Sequence, residues 1–153
     1  MILREYQIHA VEQVLARIDE RPMLQMATGA GKTVTAVELI RRFNGRVLWI
    51  AHRRELISQT ADHLAKYGLA CGIIQAGFTE RRSRRVQVAS IQTLARREKP
   101  DADLVIYDEC HHGRSRSFTN IFNAYPHAKH VGLSASPARL DGTWALSGWE
   151  LGK

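Results

Sequence analysis

Apolar residues at Leu3, Tyr6, Ala10, Val11, Val14 and Ile18 recur at three- and four-residue steps, which lays them along one face of an α-helix. Pro22 stops that helix, because proline lacks an N–H and its ring clashes with an earlier carbonyl. The pattern then changes. "MLQMA" (23–27) is a short, mostly apolar run, "TGAGKT" (28–33) is turn-forming, and "TVTAVELIRRF" (33–43) returns to helical spacing. The alternation continues with strands "RVLWIA", "CGIIQ", "VQVAS", "DLVIYD" and "HVGLSA". Between them lie helical "RRELISQTADHLAKYG", "IQTLARR" and a segment from about Ser117. Strands that are apolar almost throughout need cover on both faces, so the pattern predicts a doubly wound α/β fold. This is a three-layer domain with a mainly parallel central sheet. The final "DGTWALSGWELGK" has no periodicity; the expected division is a domain over 1–142 and an irregular tail over 143–153.

Composition adds bounds. A chain of 153 residues, 44% hydrophobic and 24% charged, is the size and composition of one folded domain. No run approaches the about 18 to 20 apolar residues of a membrane span, and "MILREYQIHA" lacks a signal-peptide core. With only Cys71 and Cys110 there is no disulfide framework. A cytoplasmic setting without membrane partners is expected. The net charge of +7 is concentrated in "ERRSRR" (80–85), "HRRE" (52–55) and "ARR" (95–97). Such clusters either bind polyanions or simply keep a surface solvated.

The strongest chemical signal is "ATGAGKT" (27–33), between an apolar strand and a helix. Backbone N–H groups of Thr28, Gly29, Ala30 and Gly31, with the positive end of the helix, suit phosphates. Lys32 is placed to reach the β- and γ-phosphates of a nucleotide and Thr33 to offer its hydroxyl to Mg2+. One position departs from the pattern, with Met26 where the first glycine belongs. "DLVIYDE" (103–109) supplies the complementary acids, Asp108 for magnesium and Glu109 to orient an attacking water. The crowded "DECHH" (108–112) also admits a zinc reading, with His127 and His130 as further ligands, but adjacent ligands diverge rather than converge. Cys110 as a nucleophile would need a hydrogen-bonded base, which sequence proximity does not establish.

Taken in order, "ATGAGKT", "DECH" and "GLSASP" resemble motifs I, II and III of superfamily 2 helicases, in the DExH branch. "GLSASPARLDG" is similar to the "TATP-x-R-x-DG" form of the type III restriction enzyme and RadD-like group, with Ser134 and Ser136 in place of threonines. The fold implied is RecA-like, that of P-loop NTPases, and the cofactors implied are ATP and Mg2+. "LREYQ" resembles the segment that recognises adenine, which assigns that role to Arg4 and Gln7, on adjacent faces of a helix. "IAHRRELISQ" and "VASIQTL" look like the segments that contact the nucleic-acid backbone, giving Arg53, Ser90, Gln92 and Thr93. Read alone, "HRREL" is an amphipathic helix start and "SIQTL" a helix cap. His111 would couple the nucleotide site to Ser134 and Ser136.

The resemblance spans residues 3 to about 142, the first of the two RecA-like domains with which such helicases work. It implies the ATP-binding domain of an ATP-dependent DNA helicase or translocase, with DNA before RNA as partner. A separate second RecA-like domain would complete the site, and ATPase activity without it would be weak. The alternative is a truncated, non-hydrolysing nucleic-acid-binding module. A small-molecule kinase would explain neither "DECH" nor "GLSASP".

Overall fold

Parallel strands cannot be joined by tight turns, so each connection must cross a face of the sheet. The structure, a computed structural model, describes residues 2–27, 31–109, 116–136 and 144–148, without the side chains of 27, 116, 136 and 144–148. Its elements are α1 (Glu5–Ala16), β1 (Pro22–Ala27), α2 (Lys32–Arg42), β2 (Val47–Ala51), α3 (Ile57–Lys66) and β3 (Cys71–Ile74). They continue with β4 (Val86–Ser90), α4 (Ile91–Leu94), β5 (Leu104–Asp108), α5 (Arg116–Ala124), β6 (Lys129–Ser136) and β7 (Trp144–Gly148). The sheet order is β3-β4-β2-β5-β6-β1-β7. Every pairing is parallel except that of β7 with β1.

The expected irregular tail is corrected over 144–148. β7 runs antiparallel to β1, from Pro22↔Gly148 to Met26↔Trp144. A sheet edge offers a row of unpaired N–H and C=O groups, and backbone pairing recruits a segment whose side chains carry no period. Helix ends also differ. α3 is preceded by a 3-10 turn at Arg54–Leu56, α4 has 4 residues where a longer helix is expected, and α1 gives way to a 3-10 turn at Ile18–Glu20.

Alternation along the strands sends side chains to two cores. On one face Val47, Trp49, Val86, Val88, Leu104, Ile106, Val131 and Leu133 pack under α1, α2 and α3, through residues such as Val11, Val14, Val37, Ile40, Ile57 and Leu64. On the other, Leu48, Ile50, Ile74, Val105 and Tyr107 pack against Ile91 and Leu94 of α4 and Phe118 and Ile121 of α5. This is the three-layer α/β architecture expected. Among the described residues no helix is long and apolar enough to cross a membrane.

The edge of the second face is closed by the connection 75–85 instead of a helix. The Gln87 side-chain amide donates to the Arg81 and Arg84 carbonyls at 2.9 and 3.0 Å. Gly72 leaves room for this: a Cβ there would lie 2.4 Å from Gln87 Oε1 and 2.6 Å from the Arg81 carbonyl. The arginines of "ERRSRR" are largely spent on the fold. Arg85 donates to the carbonyls of Gly45 (2.6 Å), Ile40 (2.7 Å) and Phe43, and Arg84 donates to Cys71 O at 2.7 Å. Arg82 pairs with Glu80 and donates to Glu98 O at 2.6 Å, and Arg97 closes on the same Glu80. For Arg82, Arg84 and Arg85 the polyanion-binding reading is therefore replaced by a clasp at the N-terminal ends of the strands.

His130, one of the residues considered for zinc, has both ring nitrogens engaged. Nε2 lies 3.0 Å from the Tyr125 carbonyl and Nδ1 2.8 Å from the Tyr107 hydroxyl. A carbonyl only accepts, so Nε2 carries the proton and Nδ1 accepts from Tyr107. Burial pushes the imidazole below its ordinary value of 6.5; the Tyr125 carbonyl opposes this and Arg21 adds to it. A depressed folded-state value means the unfolded chain takes up the proton first. The contribution is whole above 6.5 and is lost as pH falls below it. Urea unfolding between pH 7 and 5 should show stability falling with acidity, by at most about 1.4 kcal/mol per pH unit for this proton. His130→Gln should flatten that slope, and an unchanged slope would contradict the assignment.

Candidate nucleotide site

The site is assembled where β1 and β5 end and α2 begins. Gly31 is the N-cap of α2 with φ +82, a conformation glycine adopts without cost. Its carbonyl accepts from the Thr35 N–H and from Thr35 Oγ1, both at 2.9 Å, which closes the first helical turn. Space also excludes a side chain at this position. A Cβ on Gly31 would stand 2.1 Å from Gln7 Nε2, so the buried Gln7 amide lies directly over the glycine. Gln7 is in turn oriented by the Arg4 N–H, which donates to its Oε1 at 2.9 Å. Arg4 is exposed and extended, the cap residue before α1. The expectation that Arg4 and Gln7 occupy adjacent helix faces is corrected: Gln7 is the third residue of α1 and Arg4 precedes the helix as its N-cap, with the Gln7 side chain returning to cap the Arg4 N–H.

Lys32, the first residue of α2, reaches across the sheet end to both acids. Its Nζ lies 2.7 Å from Asp108 Oδ1 and 2.9 Å from Glu109 Oε1. In a continuing strand, consecutive side chains would point to opposite faces. Glu109 instead takes a left-handed backbone, φ +54, which ends β5 and accompanies the return of its carboxylate to the side of Asp108. The departure from strand geometry is what lets one ammonium meet two successive acids. Burial alone would lower the Lys32 value, but the charges and hydrogen bonds of Asp108 and Glu109 outweigh it and hold it above 10.5. A raised lysine keeps its proton through neutral pH and gives it up only in alkali.

Thr33 follows on the first turn of α2, half-buried. The donor set fits a nucleotide-bound divalent cation. The hydroxyl of Thr33 and the carboxylate of Asp108 are hard oxygen ligands of the kind Mg2+ takes, and the Asp108 carboxylate already draws a cation to itself. Beside this pair, Gly31, Lys32, Thr33 and Val34 share a cleft with His63 and Lys66 of α3 and with Tyr67, which follows it. Those three residues were not expected there. Their polar positions on an amphipathic helix look the same whether or not a loop stands opposite.

Other expected residues separate into groups. Ser134 is buried on β6, paired with Gln25 of β1, one step beyond the Asp108↔Leu133 pairing. Alternation sets it on the His130 face, away from the face of Leu133. Ser136 is level with Ala27 at the loop's origin. Thr28, Gly29, Ala30 and His111, with Cys110 and His112, lie outside the described residues. Of the four expected nucleic-acid contacts, Arg53 and Gln92 are exposed. Ser90 is 0% exposed and Thr93 9%. Ser90 Oγ donates to Gln92 Oε1 at 2.9 Å and accepts weakly from the Thr93 N–H, capping α4. The expectation of surface donors at Ser90 and Thr93 is thus corrected to the helix-cap reading: their burial withdraws them, and Gln92 donates to the His52 carbonyl at 3.1 Å.

Several known proteins are similar to this chain. The type III restriction enzyme, res subunit, family matches residues 1–139. The DNA 3'-5' translocase XPB2 of Sulfurisphaera tokodaii is 30% identical over 146 residues, covering 94% of this chain and 33% of that protein. The type I restriction enzyme EcoAI endonuclease subunit of Escherichia coli is 30% identical over 156 residues, covering 88% of this chain and 19% of that one. The UvsW helicase of bacteriophage T4 superposes with a TM-score of 0.73 at 22% identity, covering 94% of this chain and 55% of that one, a likeness of fold. The chain spans a third or less of the curated relatives it matches. With the family matched over residues 1–139, the chain belongs to the type III restriction enzyme res subunit family, as an N-terminal RecA-like domain of a superfamily 2 helicase.

Proposed function

We propose that this chain is the MgATP-binding motor domain of a DNA-directed helicase or translocase. The observation that carries the reading is the contact of Lys32 with Asp108 and Glu109, residues 76 and 77 positions away in the chain. An ammonium between two carboxylates at the mouth of a phosphate-binding turn is poised for exchange. On nucleotide binding, Lys32 leaves the acids for the β- and γ-phosphate oxygens. Asp108 and Thr33 would hold the magnesium that accompanies ATP, and Glu109 would be freed to orient water at the γ-phosphate. Magnesium, when bound, neutralises charge on the phosphate oxygens. Gln7, seated on Gly31, and Arg4 frame the adenine side. His111, Ser134 and Ser136 transmit nucleotide state toward the nucleic acid.

Arg53 and Gln92 contact the phosphodiester backbone, and contacts of that kind position a strand without reading its sequence. The relative described as a DNA 3'-5' translocase supports DNA as the partner. A second RecA-like domain supplies the arginines that stabilise charge in phosphoryl transfer, a contribution of about a thousandfold or more. Turnover by this chain alone is accordingly low. The competing picture, a non-hydrolysing module that binds DNA through its arginines, loses support from the use of Arg82, Arg84 and Arg85 within the fold.

Calorimetric titration of the folded chain should show MgATP uptake, and Lys32→Ala should weaken it by about ten- to a hundredfold, the worth of a charge-assisted contact. A folded, unmutated chain that takes up no MgATP would sink the reading. Glu109→Gln should leave MgATP affinity within about threefold while lowering DNA-stimulated hydrolysis, measured with an added second RecA-like domain, by about a hundredfold or more. Equal turnover by the variant and the unmutated chain would remove Glu109 from its role.

A further inference from the structure

Among the described residues, only Ile2, at the start of the chain, and Phe78 are large hydrophobic side chains counted as exposed, at 95% and 40%. Phe78 lies in a defined turn after β3. Its N–H donates to the Gln75 carbonyl at 3.1 Å, and Gly77 between them has φ +91. Nothing lies within 4 Å of where a Gly77 Cβ would stand. Glycine is therefore required here by backbone conformation, not by crowding. The turn has a fixed shape and holds an aromatic ring partly in water.

Its place in the sheet indicates a use. β3 pairs with β4 up to Ile74↔Ala89, so the turn emerges level with Ser90, where α4 and Gln92 begin. Gln92 is tied to the end of β2 through the His52 carbonyl, and Arg53 follows directly. Phe78, Gln92 and Arg53 thus stand at the C-terminal ends of three adjacent strands, β3, β4 and β2, spaced at about 4.8 Å from strand to strand. A cation, an amide and an aromatic ring along one edge match the two parts of a nucleotide strand. Phosphates meet the first two, and a base has a flat apolar face for the third.

We propose that Phe78 is a stacking platform for an unpaired nucleobase, so that this edge binds single-stranded or locally opened nucleic acid rather than closed duplex. The proposal rests on the reading of Arg53 and Gln92 as backbone contacts. In a closed duplex the base faces are covered by their neighbours and Phe78 has nothing to stack on. In a single strand every base offers a π-face, so stacking on Phe78 is tolerant of sequence. Phe78 carries no charge, and its contribution is insensitive to salt, unlike that of Arg53.

The test uses the full chain and three probes: a thymidine dodecamer, a dodecamer of the same phosphate count made of abasic sites, and a duplex dodecamer, each read by fluorescence anisotropy. The unmutated chain should prefer thymidine to the abasic strand by about tenfold. Phe78→Ala should abolish that preference without changing affinity for the abasic strand, the duplex or the thermal midpoint, and Phe78→Trp should keep it. Arg53→Ala should weaken all three probes and leave the preference intact. A preference that survives Phe78→Ala, or is absent from the unmutated chain, overturns the proposal while leaving backbone binding in place. No affinity for any probe overturns the underlying nucleic-acid reading and the platform with it. Phe78-dependent self-association, seen by sedimentation with the thymidine preference unaffected, overturns it in favour of a second copy of the chain.

Discussion

Because β5, β6 and β1 are parallel neighbours, each connection has to cross a sheet face, and each strand delivers its C-terminal residue to the same edge. Two results follow from that single constraint. The helices are driven onto both faces, where alternating side chains form two cores. The residues proposed to meet ligands are gathered on one edge: Lys32 after β1, Arg53 after β2, Phe78 after β3, Gln92 after β4, and Asp108 with Glu109 at the end of β5. Chemistry scattered over most of the chain becomes contiguous because the strands agree in direction.

At that edge, electrostatics favours exchange over permanence. Desolvating an ion pair offsets much of its Coulomb attraction, so the contact among Lys32, Asp108 and Glu109 is a weak source of stability. The three side chains retain 20%, 15% and 34% exposure. Water and incoming phosphates therefore reach them, and a polyphosphate bearing several charges can compete for the ammonium. Glu109 contributes through its backbone as well as its carboxylate. Without the left-handed turn, strand alternation would carry the second acid to the opposite face of the sheet.

The other edge of the sheet has a different electrostatic character. Arg82, Arg84 and Arg85 satisfy carbonyls and carboxylates where the strands start. Guanidinium groups with several donors in a rigid fork suit this bridging better than ammonium groups do. Glu80, held between Arg82 and Arg97, has its carboxyl pushed below the ordinary 4.5 by those hydrogen bonds. The formal charge of +7 is consequently a poor guide to where a polyanion binds. Part of it is committed to closing the fold, and the exposed Arg53 stands on the opposite edge, where the strands end.

The order of helices and strands and the parallel sheet were legible in the chain, because each depends on local period. Lys32, Asp108 and Glu109 could be named from their types and their positions at element ends. Other features were not legible, because they depend on neighbours remote in sequence. β7 forms through backbone pairing with β1, which leaves no mark on its side chains. Ser90 and Thr93 are polar residues whose exposure was settled by packing. The arginines of 80–85 have the same composition whether they face water or carbonyls. Residue order set which elements form and which groups carry charge and hydroxyls. The tertiary structure alone decided which of those groups are withdrawn, as at Ser90, and which meet, as at Lys32, since burial and contact are set by the return of chain segments tens of residues away.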